Sequence, residues 1–211
     1  MKILALEFSS PQRSVAVVHP GGTHEALSDH NDPFTLIEEV LRAASLEREQ
    51  IEVIAIGLGP GSYTGIRSAI SLAQGWQLAR PIQILGISSA DCVAAQAKAE
   101  GATGRLHVLV DAQRGEFYLA AYDLAPGGLR EIEPLRIVTA DAVKQRVDAG
   151  EALVGPEVLR WFPAGKSVFP RAAMLGQMAL TRTDFVSGEQ VTPIYLRETQ
   201  FVKAPPPRVI S

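Results

Sequence analysis

Reactive and metal-binding side chains are scarce in this chain. One residue of 211 is cysteine, Cys92, so no disulfide can form within the chain and a reducing compartment fits best. The histidines are His19, His24, His30 and His107, and no two stand in the H-x-x-x-H spacing that puts two ligands on one helical face. No acidic cluster makes up the deficit, so a protein-bound transition metal is not expected. Cationic blocks are also missing: 20 Lys and Arg stand against 23 Asp and Glu, which argues against an extensive nucleic-acid footprint. No apolar run approaches the ~20 residues that span a bilayer. The opening MKILALEF has one lysine and no small-residue cleavage site, and it reads as a first strand rather than a signal peptide. A soluble, cytoplasmic protein without a membrane segment is expected.

What is present is a large apolar fraction, 46%, enough for a core in one domain or two small lobes. KILALEF (2–8) and SVAVVHP (14–20) read as strands, and Gly21-Gly22 as a hairpin turn before a weaker third strand, THEALSD. Residues 32–46 repeat apolar side chains at helical spacing, with Asp32 as candidate N-cap and Pro33 as first helical residue. IEVIAIGLG (51–59) is a continuous apolar run of the kind buried on both faces. A helix over 64–80, a strand over 82–88 and a helix over 89–101 follow, the last holding Cys92 as a small core residue. A second unit opens near Arg105 with strands over 105–112 and 115–124 and a short strand in PLRIV. Next come a helix capped by Thr139 and stopped by Gly150, a strand and helix in EALVGPEVLRWF, and a helix over 170–183. The stretch 191–211 is extended and proline-rich. The order repeats: hairpin, strand, helix, strand, helix. That predicts an α/β, actin-like (ASKHA, ribonuclease H-like) two-lobe fold of mixed sheets flanked by helices. The lobes are residues 1–104 and a smaller 105–211.

Three stretches are candidates for chemistry, and each has a plainer structural alternative. GLGPGSYTGIR (57–67) places glycines before a helix N-terminus, where unpaired N–H groups attract anions. It lacks the Gly-Lys-Ser/Thr of a P-loop, and Ser62 stands where the dinucleotide fingerprint needs a third glycine. Its alternative is a strand-to-helix turn capped by Ser62 or Thr64. In EFSSPQRS, Glu7, Ser9 and Ser10 suit phosphate or metal contact, or else a hairpin turn. In VDAQRGEFY, Asp111, Arg114 and Glu116 suit an inter-lobe cleft, or else a tight turn in which Asp111 caps and Arg114 pairs with it. Candidates for a nucleotide phosphate are therefore Ser9, Ser10, Gly61, Ser62, Asp111 and Arg114. The helix after the glycine loop carries one stripe of Ile66, Ala69, Ile70, Ala73 and Gln77 and another of Leu72, Trp76 and Ala79. A helix apolar on two faces must bury both, against its own chain or a partner.

Together ILALEFSS…SVAVV, GLGPGSYTGIRSAISLAQGWQLA, LGISSAD, VDAQRGEFYLAAY and PIYLRE resemble the TsaB (YeaZ) family across nearly the whole chain. The resemblance implies the actin-like fold and a non-catalytic, dimerisation role in making tRNA threonylcarbamoyladenosine next to the anticodon. The catalytic partner would be TsaD, which carries the metal-binding histidine pair, and the third component a TsaE ATPase. It implies pairing through helices 33–45 and 64–79, with TsaD or, when alone, with a second copy, and contact with tRNA only through the complex. The interface residues so implied are Thr35, Leu36, Glu39, Ile66, Arg67, Ile70, Ala73, Gln74 and Gln77. On this basis arginine at Ile70 or Ala73 should break pairing and leave the lobe folded. No cofactor of its own is implied, an ATP or ADP site at the partner interface being left open. The sequence departs from the family where the first strand commonly ends Asp-Thr-Ser: here it reads Glu7-Phe8-Ser9. No histidine lies in the first helix, and the short second lobe leaves little cleft for a substrate. The rival reading is an ASKHA-type phosphotransferase, or a residual peptidase, with its own inter-lobe ATP site.

Overall fold

The computed structural model describes residues 1–29 and 32–196. It begins with a three-stranded antiparallel meander, β1 (Ile3–Glu7), β2 (Arg13–His19) and β3 (Gly22–Ser28). Helix α1 (Pro33–Ala43) leads to β4 (Val53–Gly57), which pairs parallel with β1. Helix α2 (Tyr63–Ala79) then returns the chain to β5 (Gln83–Ile87), parallel to β4, and α3 (Ser89–Ala99) follows. The second half repeats this plan with β6 (Gly104–Asp111), β7 (Glu116–Ala125), β8 (Gly128–Thr139), α4 (Ala140–Asp148) and β9 (Ala152–Gly155). Short elements close it: α5 (Val158–Trp161), β10 (Lys166–Ser167) and α6 (Ala172–Ala179). The sheet orders are β3-β2-β1-β4-β5 and β8-β7-β6-β9-β10, so each strand has a counterpart in the other half. This duplicated mixed sheet with helical cover is the actin-like fold expected from the element order.

Local chemistry explains most boundaries. Strands β1 and β4 are buried at every position, which their unbroken apolar runs require. The hydroxyls of Ser62, Ser88 and Thr139 cap α2, α3 and α4 by accepting from Gly65, Asp91 and Ala142 amides. Asp32 occupies the N-cap position of α1, but only its carbonyl is used there, accepting from the Thr35 and Leu36 amides. Gly150, with φ of 77°, stops α4. The short strand expected in PLRIV is the second half of a twelve-residue β8, because β7 and β8 form one long hairpin. Within 191–211, only residues to Leu196 are described, and the rest of that stretch, like His30, lies outside the described residues.

Two helices cross between the sheets. Helix α3, which follows the first sheet, packs on the second: Ala90, Val93, Ala94 and Ala97 share a cluster with Leu106, Val108, Ala120 and Tyr122. Helix α6, which follows the second sheet, packs on the first: Ala172, Leu175 and Ala179 meet Ile3, Ala5, Ala16 and Val18. Gly176 lets α6 approach, since a Cβ there would stand 2.5 Å from a Val18 methyl. The exchange is locked by polar contacts. Glu25 on β3 accepts from Arg171 (2.5 Å) and from the Ala173 amide (3.0 Å), and Ser14 accepts from the Ala172 amide (2.8 Å). On the other side Tyr122 donates to Asp91 at 2.7 Å, and burial, aided by Asp91, pushes the phenol pKa up. Tyr122→Phe strips Asp91 of that donor. The expected cost is about 1–2 kcal/mol of global stability in chemical denaturation, with no change in α3 helicity by circular dichroism.

Candidate functional site

Two concavities adjoin α2. The first is a cleft of about 530 Å³ between the lobes. Its walls are the β1–β2 turn (Ser9, Ser10, Pro11), the start of α2 (Gly61, Ser62, Tyr63, Ile66) and the end of β6 with its hairpin (Leu109 to Arg114, Phe117, Tyr118). Residues 156–158, Trp161, Ile194 and Tyr195 complete it. The structure thus gathers Ser9, Ser10, Gly61, Ser62, Asp111 and Arg114 on one cleft, which is wider than the short second lobe led us to expect. Glu116, also considered for the cleft, is not among its lining residues.

The phosphate-binding arrangement is nevertheless largely turned inward. Glu7 is fully buried. Its carboxylate accepts from the Ser9 amide (2.8 Å) and the Ser89 hydroxyl (2.8 Å), and the same hydroxyl accepts from the Gly59 amide (3.1 Å). Gly57 makes room for it, because a Cβ there would collide with the Glu7 carboxylate. The Ser62 amide donates to the Ser9 carbonyl at 2.7 Å, and the Gly65 amide to the Ser62 hydroxyl at 3.3 Å. Ser10 donates to the Gln12 carbonyl at 2.9 Å, and both serines are buried. These donors serve the chain itself. Asp111 caps its turn by accepting from the Gln113 amide at 2.7 Å, while no ion pair joins it to Arg114 among the described residues.

Burial raises the Glu7 pKa above its ordinary value, against the opposing hydrogen bonds from Ser9 and Ser89. The unfolded chain therefore loses this proton at lower pH than the folded one. The neutral carboxyl's contribution to stability is complete below the ordinary glutamate range and declines as pH rises through the raised folded value. Glu7→Gln keeps an acceptor for the Ser9 amide and cannot ionise. Urea unfolding of both proteins from pH 4 to pH 9 should show wild type losing stability relative to the variant as pH rises. A pH-independent difference would refute a shifted Glu7.

The second concavity is a groove of about 540 Å³ between α1 and α2, lined by Phe34, Ile37, Ser68, Ser71, Leu72, Gly75, Trp76 and Ala79 and closed at one end by Arg48, Glu49 and Arg80. Phe34 is 53% exposed, and Leu78, farther along α2, is 90% exposed. Here the implied interface residues divide. Leu36, Ile66, Ile70 and Ala73 are buried in the first lobe's own core, Leu36 on the side of β2 and β3 and the other three on the side of β1 and β4. Arginine at Ile70 or Ala73 would therefore unfold the lobe, contrary to expectation. Gln74 and Gln77 hold their own chain: Gln74 donates to the Gly188 carbonyl (2.8 Å), while Gln77 accepts from the Gly188 amide (2.7 Å) and donates to the Ile82 carbonyl (2.9 Å). Thr35, Glu39 and Arg67 are exposed, but Arg67 is drawn to Tyr63, donating to its hydroxyl at 2.8 Å. The stripe that meets the groove is the other one, Leu72, Trp76 and Ala79, with Phe34, Ser71 and Gly75. Helical spacing shows both stripes and does not say which one the sheet takes.

A family model for TsaD, tRNA N6-adenosine threonylcarbamoyltransferase, matches residues 14–195. The tRNA threonylcarbamoyladenosine biosynthesis protein TsaB of Escherichia coli is 26% identical over 93% of this chain and 95% of its own length. The protein of the same name from Haemophilus influenzae is 30% identical over 57% of this chain and 53% of its own. YeaZ from Pseudomonas aeruginosa superposes with a TM-score of 0.79 at 27% identity, covering 92% of this chain and 99% of that one. Another structure, from the same organism and described as similar to peptidase YeaZ, gives 0.80 at 26% identity, over 93% and 99% of the two chains. The chain belongs to the threonylcarbamoyltransferase family whose model it matches and, within it, to the TsaB (YeaZ) family.

Proposed function

We propose that this chain is the non-catalytic subunit of a cytoplasmic complex that makes threonylcarbamoyladenosine in tRNA, and that it works by presenting the α1–α2 groove to a TsaD-type catalytic subunit. The exposed apolar groove carries this reading. Phe34 stands in solvent beside Leu72, Trp76 and Ala79, an arrangement that favours burial against a second surface. Gly75 and Ala79 leave room for another helix to approach. In the absence of that partner a second copy of the chain offers the same surface. The TsaE-type ATPase and tRNA are then met through the assembled complex.

The rival catalytic readings have less support in the cleft. A phosphotransferase needs donors for phosphate, yet those of the Gly59–Gly65 loop named above are engaged within the chain. A peptidase needs a base beside its nucleophile. Among the described residues no histidine lines the cleft: His107 is buried in the second sheet, and His19 stacks on His24 at the β2–β3 hairpin.

Reconstitution tests the proposal. Modification of tRNA by the cognate TsaD and TsaE proteins is expected to require this chain, and sizing or calorimetry to show a complex of this chain with TsaD. Full modification without the chain would reject the reading.

A further inference from the structure

Neither the cleft nor the groove uses the most deeply placed histidine. Among the described residues His107, on β6, is the fully buried one. It stands opposite Ala121 of β7 and Leu153 of β9 in register, and Arg105 lies two residues before it on the same face of the strand. Neither ring nitrogen has a hydrogen-bond partner among the described residues. Nε2 lies 2.7 Å from a Glu151 carboxylate oxygen but out of line for a hydrogen bond.

Charges from four elements close over the ring. Arg146 on α4 donates to Glu151 (3.1 Å), just before β9, and to Glu133 (2.8 Å) on β8. Glu133 also accepts from Arg105 on β6 and from Arg136 (3.2 Å) on β8. On β7 Asp123 stands opposite Arg105 in register and pairs with Arg130 at 3.6 Å. The remaining charges of α4, Asp141, Lys144 and Asp148, are exposed. Around a neutral imidazole, then, Arg105, Arg136 and Arg146 already face only Glu133 and Glu151.

Helix α4 has little else to hold it. It is nine residues long, too short to persist alone, and buries only Val143, with Ala142 and Val147 partly covered. Its last turn is tied to the sheet by Arg146 and Glu151, and the Glu151 amide donates back to the Arg146 carbonyl at 3.0 Å. Beyond Glu151 the chain enters β9 and then the wall of the inter-lobe cleft at Pro156, Glu157, Val158 and Trp161.

We propose that His107 is an acid-sensitive latch: while its ring is neutral, Arg146 and Glu151 hold α4 on the second sheet, and its protonation releases the segment from α4 to the start of β9 without unfolding the rest of the chain. A proton on the ring adds a fourth cation to a site with two carboxylates and competes with Arg146 for Glu151. Burial holds the imidazole pKa below the ordinary histidine value, with Arg146 and Arg105 acting in the same direction and Glu151 and Glu133 against it. The released segment therefore takes up the proton more readily than the latched one. The latch is complete above the ordinary histidine value and is lost as pH falls from there through the lowered folded value.

Hydrogen exchange read by mass spectrometry on the full-length protein, corrected for intrinsic rates, tests the latch. Between pH 7.5 and pH 5.5, protection of residues 140–151 should fall by about three- to tenfold, one bound proton allowing at most about tenfold per pH unit, while β1, β4 and β7 keep theirs. His107→Gln takes up no proton there, and its α4 protection should be level over the same range. Two further readouts stand if that variant folds poorly. The His107 imidazole resonance in wild type should titrate below the ordinary histidine value and in step with the loss of protection. Glu151→Gln, which leaves Arg146 its partner Glu133, should lower α4 protection already at pH 7.5 and move the remaining loss to lower pH. Exchange of 140–151 indifferent to pH, a loss shared equally by both sheets, the same loss in His107→Gln, or a His107 titration at or above the ordinary value would overturn the proposal.

Discussion

Gly75→Arg is expected to abolish pairing with the TsaD-type partner while leaving this chain folded. Gly75 lies exposed in the middle of α2, and a Cβ added there meets nothing within 4 Å. Glycine in a helix interior is about 1 kcal/mol less favourable than a good helix former, so arginine should raise the chain's own stability slightly. Its unfolding midpoint should stay level or rise by about 2 °C. The partner surface fares differently. Gly75 lines the groove with Leu72, Trp76 and Ala79, and a docked partner would leave the arginine side chain no room. The expected loss is at least about a hundredfold in affinity, read by calorimetry or sizing, with a matching fall in tRNA modification. Gly75→Ala is the control: it keeps the helical gain without the charge. Undiminished affinity in the arginine variant would remove the groove from the interface. The contrast with Ala73→Arg is direct, since Ala73 is fully buried and its arginine variant should fail to fold.

Gly61→Ala should produce the largest loss of stability from a single methyl group. A Cβ at Gly61 would collide with the Ser9 carbonyl oxygen, which is backbone and accepts from the Ser62 amide. The glycine also has φ of 148°, where an L side chain is strained. The turn must move away from the end of β1, costing on the order of 3 kcal/mol, or roughly 6–12 °C in unfolding midpoint for a chain of this size. Gly65→Ala should act in the same direction, because its Cβ would strike the Phe8 carbonyl oxygen. If the loop instead served only a ligand, both variants would unfold as wild type does. Scanning calorimetry without ligand separates the two cases.

These two glycines show how far the sequence could be read. Three glycines before a helix and a fourth in its first turn are consistent with an anion cradle or with close packing. What decides is the Phe8–Ser9 backbone, more than 50 positions away in the chain, lying against the loop. Glu7 is similar. Its place at the end of an apolar strand marks a candidate ligand, whereas the tertiary contacts with Ser9, Ser89 and Gly57 turn it inward. Helical periodicity likewise identified α2 as two-faced. It could not assign the faces, because small residues such as Ala69 and Ala73 are compatible equally with a sheet or with a partner helix, and the sheet took the stripe containing Ile66 and Ile70.

From the sequence alone came the strand and helix order, its duplication, a cap at Ser62 or Thr64, the cap at Thr139 and the stop at Gly150, since all of these depend on local spacing, capping groups and backbone freedom. Tertiary structure alone determined that α3 and α6 exchange lobes, that the Leu72–Trp76 stripe borders the open groove and that Trp161 and Tyr195 meet Tyr63 around one cleft. Such pairings join residues as far as 158 positions apart, as Ser14 and Ala172 are, and hydrophobic burial, which drives them, has no direction along the chain.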